Sequence, residues 1–133
     1  PAEAQTEFDV ILKDAGANPD AMDPWGNTAL HRASFRSPDD PEQVRALVRA
    51  GAGVNARDES GWTPLMAAAA RGFPRTVQAL IELGADVNLK NADGKTALQI
   101  AEAVLAAGDE DVSESGQREV VRLLKAAATR PST

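Results

Sequence analysis

A chain that repeats itself at a fixed interval can fold only as a series of equivalent units, and this one does so. The segments Asp23-Pro-Trp-Gly-Asn-Thr-Ala-Leu-His31, Asp58-Glu-Ser-Gly-Trp-Thr-Pro-Leu-Met66 and Asn91-Ala-Asp-Gly-Lys-Thr-Ala-Leu-Gln99 align without gaps. Gly26, Gly61 and Gly94 fall in register, as do Thr28, Thr63 and Thr96, then Leu30, Leu65 and Leu98; the spacings are 35 and 33 residues. A second landmark keeps step: Gly16-Ala17, Gly51-Ala52 and Gly84-Ala85, the last two followed by Val54-Asn55 and Val87-Asn88.

Each landmark has a physical role. The threonine stands one residue before a helical pattern, where its hydroxyl can accept an orphan backbone N–H. Pro64 then occupies the first helical position, where a missing donor is harmless. Thr96 with Gln99 has capping-box spacing, and Thr28 with His31 can make a similar contact. A second helix follows, with apolar positions Val44/Leu47/Val48, Val77/Leu80/Ile81 and Val120/Leu123/Leu124 at helical intervals. The glycine after it supplies a left-handed residue that ends the helix. The polar stretches from Val54 to Asp58 and from Val87 to Asn91 read as a projecting turn toward the next unit.

A unit of helix, turn, helix and protruding turn with these landmarks resembles the ankyrin repeat, over about residues 8 to 128. Gly61-Trp62-Thr63-Pro64-Leu65 and Gly84-Ala85-Asp86-Val87-Asn88 stand closest to the family pattern. The resemblance implies an all-α repeat solenoid in a single domain, residues 1–133. Its parts are a half repeat at about 6–22, repeats at about 23–57, 58–90 and 91–128, and a polar tail at 129–133. Phe8, Ile11, Leu12 and Ala15 form the apolar stripe of the half repeat, which should act as an N-terminal cap.

Two units depart from the pattern. Ser37 to Glu42 is two residues longer than the matching turn at Gly72, and Pro41 can start a helix there with acids near its positive end. In the third unit Thr96 and Val120 are 24 residues apart, whereas Thr63 and Val77 are 14 apart. Residues 101–107 continue the first helix, and Gly108 to Gly116 reads as an acidic, flexible loop. Ala126-Ala127-Ala128 replaces the second landmark after Leu124, so the stack should end there as a C-terminal cap.

Composition narrows the function. The chain has no Cys and one His, so it offers no disulfide framework, no thiolate chemistry and no acid–base pair around His31. No apolar run approaches the roughly 20 residues needed to span a bilayer. Fourteen basic against twenty acidic residues give a net charge of −6, which repels nucleic-acid phosphates. The expectation is a soluble protein with no catalytic residue, no metal, no cofactor, no nucleic-acid partner and no membrane insertion. Gly51-Ala-Gly-Val-Asn-Ala56 imitates a dinucleotide fingerprint, but its glycines end a helix instead of following a strand.

The ankyrin resemblance implies binding of a partner protein through projecting hairpin tips and the first helices, which line a concave face. The expected contact residues are Trp25, Asn27, Phe35, Arg36, Ser60, Trp62, Arg71 and Lys95. Trp25 and Trp62 flank their turn glycines and either anchor an interface or pack on neighbouring turns. Arg36 and Arg71 stand eight residues after their threonines and should form a ladder. They either complement helix dipoles in solvent or form a patch that reads an anion or a carboxylate. With the chain made almost wholly of repeats, the expected role is to block or bridge another protein, as an inhibitor or self-protection protein of an enzyme. An assembly scaffold is the alternative, an enzyme a more remote one, and the polar end caps favour a monomer. Arg outnumbers Lys ten to four, which with the alanine bias hints at a bacterial source. Ala2-Glu3-Ala4 resembles the end of a secretory signal, leaving periplasm and cytoplasm both open.

Overall fold

Thr63 holds extended backbone (φ −96, ψ 164), and its hydroxyl accepts the Met66 N–H at 3.3 Å, so the chain enters a helix at Pro64. The same device recurs at Thr96. There Gln99 N–H reaches the threonine hydroxyl at 3.3 Å while Thr96 N–H donates to Gln99 Oε1 at 2.9 Å, completing the expected capping box. The computed structural model describes residues 28–35, 39–108 and 112–129. The expected half repeat at 6–22, the candidates Trp25, Asn27 and Arg36, the acidic positions 109–111 and the tail from 130 lie outside the described residues.

Six helices are formed among the described residues: α1 (Ala29–Phe35), α2 (Glu42–Arg49), α3 (Pro64–Arg71), α4 (Pro74–Glu82), α5 (Ala97–Ala107) and α6 (Glu114–Thr129). They pair as α1/α2, α3/α4 and α5/α6. The first helices α1, α3 and α5 stack side by side, and the second helices α2, α4 and α6 form a parallel row behind them. This is the all-α solenoid expected from the repeat, and among the described residues no helix is long and apolar enough to cross a membrane.

The alanine run has its explanation in α3. This helix is covered by α1 on one side, α5 on the other and α4 behind, and every residue from Pro64 to Ala69 is buried. Only small side chains let three helices approach a fourth this closely. Leu30, Val44, Leu47, Leu65, Met66, Val77, Leu80, Val120 and Leu124 fill the seams between the rows. The backbone is left-handed at Gly51 and Gly84 (φ 105 and 101), the residues expected to end the second helices.

Pro41 stands immediately before α2, not within it, while Asp40 Oδ1 accepts the Glu42 N–H at 3.1 Å. The third pair corrects one expectation. Glu114, Ser115 and Gly116 are the first turn of α6, not part of a loop. Ser113 caps that turn: its hydroxyl accepts the Gly116 N–H at 3.1 Å and its carbonyl the Gln117 N–H at 2.8 Å. Gly116 is also pressed against the preceding unit, where a Cβ would lie 2.6 Å from the Gly72 carbonyl oxygen. Sequence periodicity sees only the apolar face of a helix, so it missed this polar first turn.

Candidate functional site

Hairpin tips are set by an Asx turn at the start of the second and third units. Asp58 Oδ1 accepts the N–H groups of Ser60 and Trp62, both at 2.9 Å, and Asn91 Oδ1 accepts those of Asp93 and Lys95 at 2.9 and 3.1 Å. Successive tips are joined, since Ala92 N–H donates to the Ser60 carbonyl at 2.9 Å. Ser60 and Lys95 are exposed on these tips. Trp62 is half-buried and packs against the hydrophobic core, so part of its ring serves the stack.

His31 is a brace between units. The Thr28 N–H lies 3.2 Å from Nδ1, and an amide can only donate, so Nδ1 accepts. The proton therefore sits on Nε2, which donates to the Trp62 carbonyl at 2.7 Å. Both ring nitrogens are spent on backbone, as a structural histidine requires. Among the described residues, no group of three or more His, Asp or Glu gathers as a metal site.

The candidate residues that meet are Phe35 and Arg71. Phe35 ends α1 and is 51% exposed, the exposed large apolar side chain of the described residues. Arg71 ends α3, and its guanidinium carbon lies over the Phe35 ring at 5.0 Å and over the Phe73 ring at 5.7 Å. Each such contact is worth roughly 0.5–1 kcal/mol at an exposed site. The guanidinium is thus held on two rings and does not float at the end of its helix. Arg71 Nε is buried with no hydrogen-bond partner among the described residues.

Phe73 was not among the sequence candidates. Gly72 between it and Arg71 is left-handed (φ 68), and that reversal folds the next residue back toward the last turn of α3. The glycine itself was the legible signal.

The expected contact residues therefore divide. Ser60, Trp62 and Lys95 lie at the tips, before the first helices begin. Phe35 and Arg71 lie where those helices end, about 12 Å away along an eight-residue helix.

An unexpected carboxylate completes this end. Asp39, in the lengthened turn of the first pair, reaches the first turn of α4. Its Oδ2 accepts the Arg75 N–H at 2.9 Å, and its Oδ1 accepts the N–H and hydroxyl of Thr76, both at 2.8 Å. No side chain of α4's own N-cap, Phe73, does this work. Among the described residues the shifted groups lie away from this place, on the outer face of α6. There Arg122 donates to the Glu119 carboxylate at 2.9 Å and holds that carboxyl below the usual glutamate range.

A family model for ankyrin repeats (three copies) matches residues 5–91 and again residues 35–131. Among curated proteins, a glycerophosphocholine phosphodiesterase of Schizosaccharomyces pombe is 43% identical over 70 residues, covering 50% of this chain and 6% of that protein. Protein phosphatase 1 regulatory subunit 27 of Mus musculus is 44% identical over 55 residues, covering 41% of this chain and 34% of that protein. Its Homo sapiens counterpart is 45% identical over 51 residues, covering 38% and 32%. The chain thus spans about a third, or far less, of the length of these eukaryotic relatives.

Proposed function

The chain belongs to the ankyrin-repeat family, and on that premise we propose that it is a non-catalytic module that binds a partner protein through its tips and the first-helix row. The observation that carries this reading is the Phe35–Arg71 pair. An exposed aromatic ring and a guanidinium are held by neighbouring helices at one end of that row. Aromatic and Arg side chains are the types most enriched among residues that dominate binding energy. Because the second and third tips are tied by a backbone hydrogen bond and the helices by a shared core, little conformational entropy is lost on binding.

In its finer form the proposal is regulatory: the module occupies a surface of an enzyme and restrains it. The match to a protein named as a phosphatase regulatory subunit supports that direction. The match to a phosphodiesterase covers 6% of that enzyme, too small a share to carry an activity across.

Affinity capture on the immobilised protein, followed by mass spectrometry, identifies the partner. Assaying that partner's activity with and without the module tests the regulatory form. The reading predicts saturable binding and lower activity of a captured enzyme. Undiminished activity at saturation would remove the inhibitor role, and capture insensitive to changes at both the tips and Arg71 would remove the face.

A further inference from the structure

Arg71 occupies an unusual position for a cation in a chain with net charge −6. Among the described residues no carboxylate pairs with it, although Arg45, Arg118 and Arg122 each hold a glutamate. Asp39, the acid that crosses to the neighbouring turn at Arg75, has both oxygens engaged by backbone and hydroxyl donors of α4. The guanidinium rests on Phe35 and Phe73, and its buried Nε–H has no acceptor among the described residues. A guanidinium stacked on rings keeps its in-plane N–H edge for a flat, two-oxygen acceptor. Beside it, Phe35 offers an exposed apolar surface.

We propose that Phe35, Arg71 and Phe73 form a receptor for an acidic peptide segment of the partner, its carboxylate taken by the Arg71 guanidinium and an adjoining apolar side chain seated on Phe35. The proposal rests on the protein-binding reading and names the chemistry of that partner. A single carboxylate fits a ring-stacked guanidinium that holds no carboxylate among the described residues, whereas a polyanion meets the repulsion of the whole chain. Holding the guanidinium on two rings before the ligand arrives reduces the ordering cost that a free arginine would incur.

The test uses three immobilised pools of nine-residue peptides whose central residue is Glu, Gln or Lys and whose other positions are randomised. A single-stranded oligothymidylate is the fourth arm. The receptor predicts at least fivefold greater retention of the protein on the Glu pool than on the Gln or Lys pools. Arg71→Gln should abolish that preference, and Phe35→Ala should reduce retention severalfold. Arg71→Lys keeps the charge without the flat fork and should recover only part of it, which also serves if Arg71→Gln melts early. Equal retention on all three pools, a Glu preference that survives in both Arg71 variants, or stronger retention on the oligothymidylate would overturn the receptor. Equal retention with partner capture lost in Arg71→Gln removes the carboxylate and leaves the binding face. Capture that persists in that variant removes this end of the face as well.

Discussion

Two junctions of the stack lie among the described residues, built from the same repeat yet held by different chemistry. Between the first and second pairs polar side chains link the units beside the packed first helices. His31 donates to the Trp62 carbonyl, Asp39 caps α4, and Arg45 meets Glu82 at 3.2 Å. Between the second and third pairs the backbones close in. Gly116 lies against Gly72, and the amide of buried Gln117 donates to the Ala69 and Ala101 carbonyls at 2.8 and 3.1 Å. The position that holds His31 in the first unit holds Met66 in the second. A thioether has no proton to donate, so the Lys95 carbonyl receives no such brace from it. Repeat periodicity sets where units stack, and departures from the repeat decide how each junction is fastened.

The close-packed junction should be the less forgiving one. Gly116→Ala places a methyl group against a backbone oxygen that cannot swing away. It should cost about 2–4 kcal/mol despite alanine's better helix propensity, visible as a fall in Tm of several degrees or more. A neutral result would show that the two backbones can separate freely, and the contrast between junctions would disappear.

At the bridged junction, His31→Ala removes a buried ring and both of its backbone links, for an expected loss of about 2–3 kcal/mol in denaturant melts. The equivalent change at exposed Gln99 loses one capping box and should cost only about 0.5–1 kcal/mol. Equal losses at the two positions would mean that His31 acts as a local cap and not as a bridge.

Asp39→Ala should cost about 1 kcal/mol by uncapping α4 from the neighbouring unit. Hydrogen exchange at Arg75 and Thr76 should rise with it, and unchanged exchange there would break the assignment.

The smallest effect belongs to Glu119→Gln. Because its carboxyl is held low by Arg122, that pair contributes only above the unfolded glutamate's range and is lost as the pH falls through the folded value. The pair sits at the surface, with the Arg122 side chain 70% and the Glu119 side chain 39% exposed, so the melt at neutral pH should not move measurably.

Much of this architecture was legible in the residues because it rests on local devices. Thr63 before Pro64, Thr96 with Gln99, and the glycines after the second helices act within four or five positions of the chain. Asp39, Phe73 and Gln117 were not legible, because their partners lie in another unit or across a left-handed turn. The carboxylate of Asp39 and the helix it caps are 37 positions apart, and Gln117 donates across 48. At the candidate site the sequence supplied Phe35 and Arg71, but a single expected surface becomes two places separated by the length of α3. Trp62 shows why residue type alone misleads: its half-buried ring belongs partly to the core, so Trp62→Ala perturbs stability along with any binding.

In this protein the stack supplies rigidity while the proposed Phe35–Arg71 receptor supplies recognition. Measuring Kd for the captured partner and Tm on the same double variant, Phe35→Ala with Arg71→Gln, tests it directly. The account predicts affinity weakened at least tenfold, about 1.4 kcal/mol or more, with Tm lowered by no more than a few degrees. Unchanged affinity in a variant that still melts cooperatively would contradict it.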